Sequence, residues 1–283
     1  MTIPIFDSHC DTVLKIVDDE RDILVDNGRT HVHVPALLEA GVACQVFACF
    51  ASSAQYPGQE PQRARALMEA ARALDGRGPL VIPRSADELG ALGRQQEPER
   101  VGILLALEGG EALGGRPEAV AEVKQLGVRY VTLAWGDNEL TGSAFGKGLG
   151  LTDLGREVVA ELERQRVLVD VSHMSDQAVE ETLAMASRPV IASHSSCRAL
   201  CDIPRNIADH QIRAVAQSGG VVGVNFAACF LTEESRKAQW PLFETYLPKM
   251  RGSPESFKRW GRVLDRELEQ TPRPPLSAIA DHL

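Results

Sequence analysis

Val101-Gly102-Ile103-Leu104-Leu105-Ala106-Leu107-Glu108-Gly109-Gly110 is an uncharged, apolar run that stops at a carboxylate and two glycines. A strand with one wet face alternates apolar and polar residues. This one does not, so it reads as a strand buried on both faces, the kind found in parallel sheets covered by helices. Six other stretches read as strands: Ile5 to Asp11, Ala43 to Phe50, Arg129 to Trp135, Val167 to Val171, Pro189 to Ala192 and Val221 to Phe226. Helical spacing fills the gaps, as in Ala64, Leu67, Met68, Ala71 and Leu74, or Leu154, Val158 and Leu162 behind a Thr152 cap. Other helices are expected from Pro117 to Leu126, from a Ser175 cap to about Ala186, and from an Asp209 cap through Ile212, Val215 and Ala216 to Gly219. Ser85 to Glu88 has the pattern of a capping box, and Thr30 to Pro35 is a short alternating run.

Seven strand repeats without a dinucleotide glycine fingerprint favour a (β/α)8 TIM barrel over an open doubly wound sheet. The eighth strand is expected to be missing from this chain. After Phe226 comes a polar, helix-prone insertion over residues 227–275, in which Phe257, Trp260, Leu264 and Leu268 share one helical face. Ser277 to Leu283 then reads as the start of a helix, so residues 1–283 are expected to form one barrel domain, incomplete at its carboxyl end.

With 283 residues, 44% of them hydrophobic, the chain can bury a sizeable core. A net charge of -9 and the lack of a basic cluster argue against a nucleic-acid partner. Neither a secretion leader nor an apolar run near the ~20 residues of a membrane span is present, so a cytoplasmic enzyme with no membrane association is the expectation. The six cysteines are scattered, without a Cys-x-x-Cys pair, and read as small buried hydrophobes.

In a barrel the active site lies at the carboxyl ends of the strands, and five metal-ligand types stand there: His9, Asp11, Glu108, His173 and His194. Alternation along the first strand puts His9 and Asp11 on one face. Three imidazoles and two carboxylates suit two divalent ions that share one bridging carboxylate. Each residue also has a plainer reading: Glu108 as a turn residue, His173 as a helix cap, His194 as a hydrogen-bonded loop histidine.

Asp7-Ser8-His9-Cys10-Asp11, Leu107-Glu108-Gly109-Gly110, Asp170-Val171-Ser172-His173-Met174-Ser175, Ser193-His194-Ser195-Ser196 and Pro204-Arg205-Asn206-Ile207-Ala208-Asp209 together resemble the membrane (renal) dipeptidase family of zinc peptidases, within the amidohydrolase superfamily. Order and spacing agree over essentially the whole chain, as for a microbial-type cytoplasmic member. The resemblance implies two Zn2+ per chain, one held by His9 and Asp11, the other by His173 and His194, with Glu108 bridging. It implies hydrolysis of dipeptides by a metal-bridging hydroxide, with Arg205 contacting the substrate. Family members are often dimers, so a homodimer is compatible with it. The ligand set would also accept cobalt or manganese.

Two departures from the family stand out. Trp135 occupies the place of a substrate-contacting histidine, and an indole cannot take up a proton. The family aspartate that shuttles the proton lies in a strand beyond Leu283, so no residue for proton transfer is identified here. A non-catalytic metal- or partner-binding barrel, and an amidohydrolase acting on another small amide, are therefore the alternatives. His31-Val32-His33 resembles the His-x-His pair of other amidohydrolases, but it follows a polar loop and precedes Pro35, so both histidines are expected to be structural.

Overall fold

The computed structural model describes residues 3–26, 28, 30–95 and 99–283. Among them seven strands form: β1 (Ile5–Cys10), β2 (Val42–Phe50), β3 (Leu80–Val81), β4 (Val101–Glu108), β5 (Val128–Thr132), β6 (Leu168–Asp170) and β7 (Val190–Ile191). All pairings are parallel, in the order β1-β2-β4-β5-β6-β7, with β3 beside the start of β4. In a flat sheet five strand spacings of ~4.8 Å would hold β1 about 24 Å from β7. Instead the hydroxyl of Ser8, in β1, donates to the carbonyl of Ser193, just past β7, at 2.6 Å. The sheet is therefore curled, a half-closed barrel with helices outside.

Strand parity sorts the apolar residues into two cores. Val46, Ala106, Tyr130 and Ile191 pack inside the curl with Leu104 and Leu168. Their neighbours Phe47, Leu105, Leu107, Val131 and Val169 face outward into the larger core beneath the helices. The helix Asp153–Gln165 shows how that outer layer is made. Thr152 accepts the Gly155 N–H at 3.0 Å as its cap, Val158, Val159 and Leu162 are buried, and Arg166 ends it in the left-handed region with φ 58°. Each such side chain contributes about 1.5–3 kcal/mol on burial.

The expected strand at Val221 to Phe226 forms only one bridge, Ala192↔Val222. It pairs with no second strand among the described residues, and Val221 is 64% and Phe226 66% exposed. β3, two residues long, is too short to leave a periodic signal. The alternation at Thr30 to Pro35 is not a strand: His33 Nδ1 accepts the Ala36 N–H at 3.3 Å and caps the helix Val34–Glu39. The helix Asp209–Gln217 is preceded by Ala208 as its cap residue, with Asp209 already inside its first turn. Half of the Ser85 capping box forms, because Glu88 turns to the N–H of Arg84 instead of Ser85. The helix after Pro117 begins at Ala119.

After Phe226 come the helices Glu233–Tyr246 and Pro254–Glu269; Leu264 is buried, and Phe257, Trp260 and Leu268 are half-buried beside it. Trp240 rests against Phe145 with ring centroids 4.4 Å apart. All six cysteines are free thiols, four of them buried. No helix among the described residues is long and apolar enough to cross a membrane.

Candidate metal centre

The parity that sends Ala106 into the curl sends Glu108 after it, and Thr132 and Asp170 follow Tyr130 and Leu168. Glu108 is the hub. Its Oε2 lies 3.3 Å from His9 Nε2, and its Oε1 lies 3.1 Å from His173 Nε2 and 3.7 Å from His194 Nε2. His173 Nε2 and His194 Nε2 are 2.8 Å apart, and the rings of His9 and His194 stack at 3.6 Å. His9, Glu108 and His194 offer ligand atoms that all lie within 4.8 Å of one another. Asp11 lies close enough to Glu108 for the two carboxylates to repel one another.

The opposite ring nitrogens are held from behind. His9 Nδ1 is 3.0 Å from the Tyr130 hydroxyl, whose own proton goes to the Ser8 carbonyl at 2.7 Å. The phenol oxygen therefore accepts from His9. His194 Nδ1 lies 2.7 Å from Ser193 Oγ, whose proton goes to Asp170 at 2.6 Å. His173 adopts φ 69°, unusual for a residue with a side chain, and this backbone turn is fixed when the Ala144 N–H donates to its carbonyl at 2.6 Å. Ala144 belongs to the glycine-rich loop 137–150, pinned by Asp137, which accepts from the Ser143 and Lys147 N–H groups, and by Asn138, which accepts from those of Leu140 and Thr141.

Charge is unevenly spread over this cluster. Burial opposes a proton on His9, yet the Glu108 carboxylate outweighs it and raises the pKa to about 9. Burial and then the Arg205 charge lower His173 to about 4, and burial and the His9 charge push His194 well below its usual value. Against the cost of burial, His9 and His173 hold Glu108 below the usual carboxylate range. Desolvation and the Glu108 charge raise Asp11; Asp11 is itself exposed, so the like charge is the cause that carries. At 2.8 Å one of the facing Nε2 atoms of His173 and His194 donates to the other, and both imidazoles are uncharged beside an ionised carboxylate, the charge state a cation requires. The donor set therefore fits divalent metal.

Around it stand the two other residues singled out in the sequence. Trp135 lies 5.2 Å from Phe50 and 6.2 Å from the His173 ring, as one wall of the site. Arg205 is buried with its guanidinium 5.8 Å from the Phe230 ring centroid; its Nη1 donates to Ser195 Oγ at 3.1 Å, while Nε and Nη2 have no hydrogen-bond partner among the described residues. His31 is exposed and His33 is a helix cap, both outside the cluster. Tyr130, Thr132, Asp170 and Ser193 are site residues that ligand spacing alone does not reveal; their inward parity was the readable signal.

The sequence profile of the membrane dipeptidase family, peptidase family M19, matches residues 1–283. This chain belongs to that family. A probable dipeptidase from Pseudomonas aeruginosa, PvdM, shares the fold with a TM-score of 0.79 at 22% identity, over 99% of this chain and 79% of that one. A Rhodobacter sphaeroides metallopeptidase, solved with a phosphinate mimic of the dipeptide L-Ala-D-Ala, aligns with a TM-score of 0.72 at 24% identity, over 95% and 83%. An Acinetobacter calcoaceticus protein described as uncharacterized, from the PQQ-III 3' region, is 32% identical over 151 residues, 49% of this chain and 47% of that protein. The chain spans about half the length of the curated relatives it matches. As a member of the membrane dipeptidase family, it has an α/β architecture, with three imidazoles gathered on one carboxylate at the carboxyl ends of its strands.

Proposed function

We propose that the protein is a zinc-dependent dipeptidase. The observation that carries this reading is the convergence of His9, His173 and His194 on the two oxygens of one buried carboxylate, Glu108. In this reading His9 and Asp11 would hold one Zn2+, His173 and His194 the other, and Glu108 would be shared between them. When bound, such ions act as Lewis acids and lower the pKa of a bound water from ~15.7 towards ~7.

The chain's own groups do the rest. Arg205 keeps its charge, although burial lowers its pKa to about 10, and its two unpartnered nitrogens suit a planar carboxylate. It would hold the free carboxylate of a dipeptide. Trp135 offers a face for stacking and a single donor, so it walls and orients without moving a proton. The curl of the sheet shelters Glu108, His194 and Arg205 from bulk solvent.

The test is hydrolysis of a panel of dipeptides by the purified chain, with metal content measured on the same sample. Two zinc ions per chain and turnover lost on chelation support the reading. Two zinc ions without turnover would instead identify a metal-binding barrel that is not an enzyme, and no bound metal would sink both.

A further inference from the structure

We propose that Asp170 is a positioning residue for metal binding: through Ser193 it fixes the proton of His194 on Nδ1 and so keeps Nε2 bare for a cation. This rests on the metal-dependent reading above. Asp170 ends β6 with none of its surface exposed. Its Oδ1 accepts the backbone N–H groups of Ser172 at 3.0 Å and Ser193 at 2.8 Å. Its Oδ2 accepts the hydroxyls of Thr132 and Ser193, each at 2.6 Å.

The consequence for His194 is a matter of counting protons. A hydroxyl has one, and Ser193 spends it on the carboxylate. Towards His194 Nδ1, at 2.7 Å, Ser193 Oγ can then only accept. A neutral imidazole carries one N–H, so that proton sits on Nδ1 and Nε2 is left with its lone pair, which accepts from His173 Nε2 at 2.8 Å. A charged carboxylate behind a hydroxyl also makes the imidazole a better donor to metal. His9 is fixed by a similar device with a neutral end, since Tyr130 spends its proton on a backbone carbonyl.

Asp170→Asn keeps the shape and reverses the protons. A carboxamide oxygen still accepts the two backbone N–H groups, while its NH2 donates to Ser193 Oγ and displaces the Ser193 proton. That proton then turns to His194 Nδ1 and drives the imidazole proton to Nε2, where it blocks a cation. The same logic makes the aspartate-to-asparagine change costly in hydrolase triads. A role confined to tying β5, β6 and β7 together would lower thermal stability without changing the tautomer.

Two measurements on the purified full chain separate these roles. Nitrogen-15 spectra of the metal-free protein report which ring nitrogen of His194 is protonated, and zinc titration against a chromophoric chelator gives affinity. The expected results are a bare Nε2 in the unsubstituted protein, a protonated Nε2 in Asp170→Asn, and zinc affinity about 10- to 100-fold lower in that variant. Ser193→Ala should lose affinity similarly and Ser193→Thr, which keeps the hydroxyl, should regain it; this pair decides if Asp170→Asn fails to fold. Asp170→Asn with unchanged tautomer and affinity, or equal affinities for Ser193→Ala and Ser193→Thr, would overturn the proposal and leave the metal reading intact. Failure of the unsubstituted protein to bind zinc would overturn both.

Discussion

The imidazole of His9 stacks on that of His194, centroids 3.6 Å apart and planes 22° from parallel, although their strands stand at opposite ends of the sheet order. The contact exists because the sheet curls, and the curl is closed at one tight point. A side-chain carbon at Gly223 would collide with the Ser193 carbonyl and the Ser8 hydroxyl. We expect Gly223→Ala to force these apart and to destabilise the fold by about 1–3 kcal/mol. Zinc affinity should fall in the same variant, because Ser8 and Ser193 neighbour the two histidines. A thermal melt alongside a metal titration checks this; unchanged affinity would mean that the closure does not set the ligand geometry.

Glu108 touches all three imidazoles. Glu108→Gln should therefore reduce metal binding at both positions together, by at least ~100-fold, more than loss of a supporting residue. Inductively coupled plasma analysis after dialysis is the readout. Loss of one ion with full retention of the other would show that Glu108 does not bridge.

His9 gives the site a pH dependence of known sign. Its pKa rises from 6.5 to about 9 because, against the cost of burial, the Glu108 carboxylate favours its charged form. In metal-free protein that charge contributes stability fully present below about 6.5 and lost as pH climbs through about 9, on the order of 3 kcal/mol. Metal binding runs the other way. A cation must displace the His9 proton, so affinity should increase with pH up to about 9, by roughly tenfold per unit for one proton released. Calorimetry in buffers of different ionisation enthalpy counts that proton directly, and a count of zero would place the charge elsewhere.

Arg205 should act on binding more than on turnover. For a dipeptide with a free carboxylate, Arg205→Ala is expected to raise KM by ~30- to 100-fold, the cost of a charge-assisted pair. Arg205→Lys should recover little, since an ammonium cannot make the paired contacts of a guanidinium. Dipeptide amides, lacking that carboxylate, should barely distinguish the three proteins. Steady-state kinetics with matched acid and amide substrates would test it.

How much of this was legible in the sequence follows from locality. Glu108, His173 and His194 each close or follow an apolar run, so strand reading placed them at one end before any contact was known. The supporting residues were harder. Asp170 and Ser193 stand within the quoted motifs, but their meaning depends on β6 and β7 lying side by side, as Val169↔Val190 and Asp170↔Ile191 do. Tyr130 reads as an ordinary strand aromatic until the curl brings Ser8 and His9 against it. The Val221 to Phe226 segment misled for the opposite reason: its residues favour a strand, yet strand pairing needs a neighbour, and it has one on a single side. His33 looked like half of a ligand pair and serves as a helix cap, a role decided by the Pro35 that follows it.

The bond from Ser8 to Ser193 joins residues 185 positions apart in the chain. Contacts of that span are slow to form, since the ends of a long segment must be brought together before anything rewards them. β1 leaves the ribosome before β7 and yet cannot complete its end of the site until β7 has emerged and folded. A folding intermediate in which β2, β4 and β5 are already paired would hold Glu108 in place with only a fraction of its ligands around it. Metal capture would then be a late event in folding, and a bound ion would act as a latch on the curled sheet, slowing its unfolding more than it speeds its assembly.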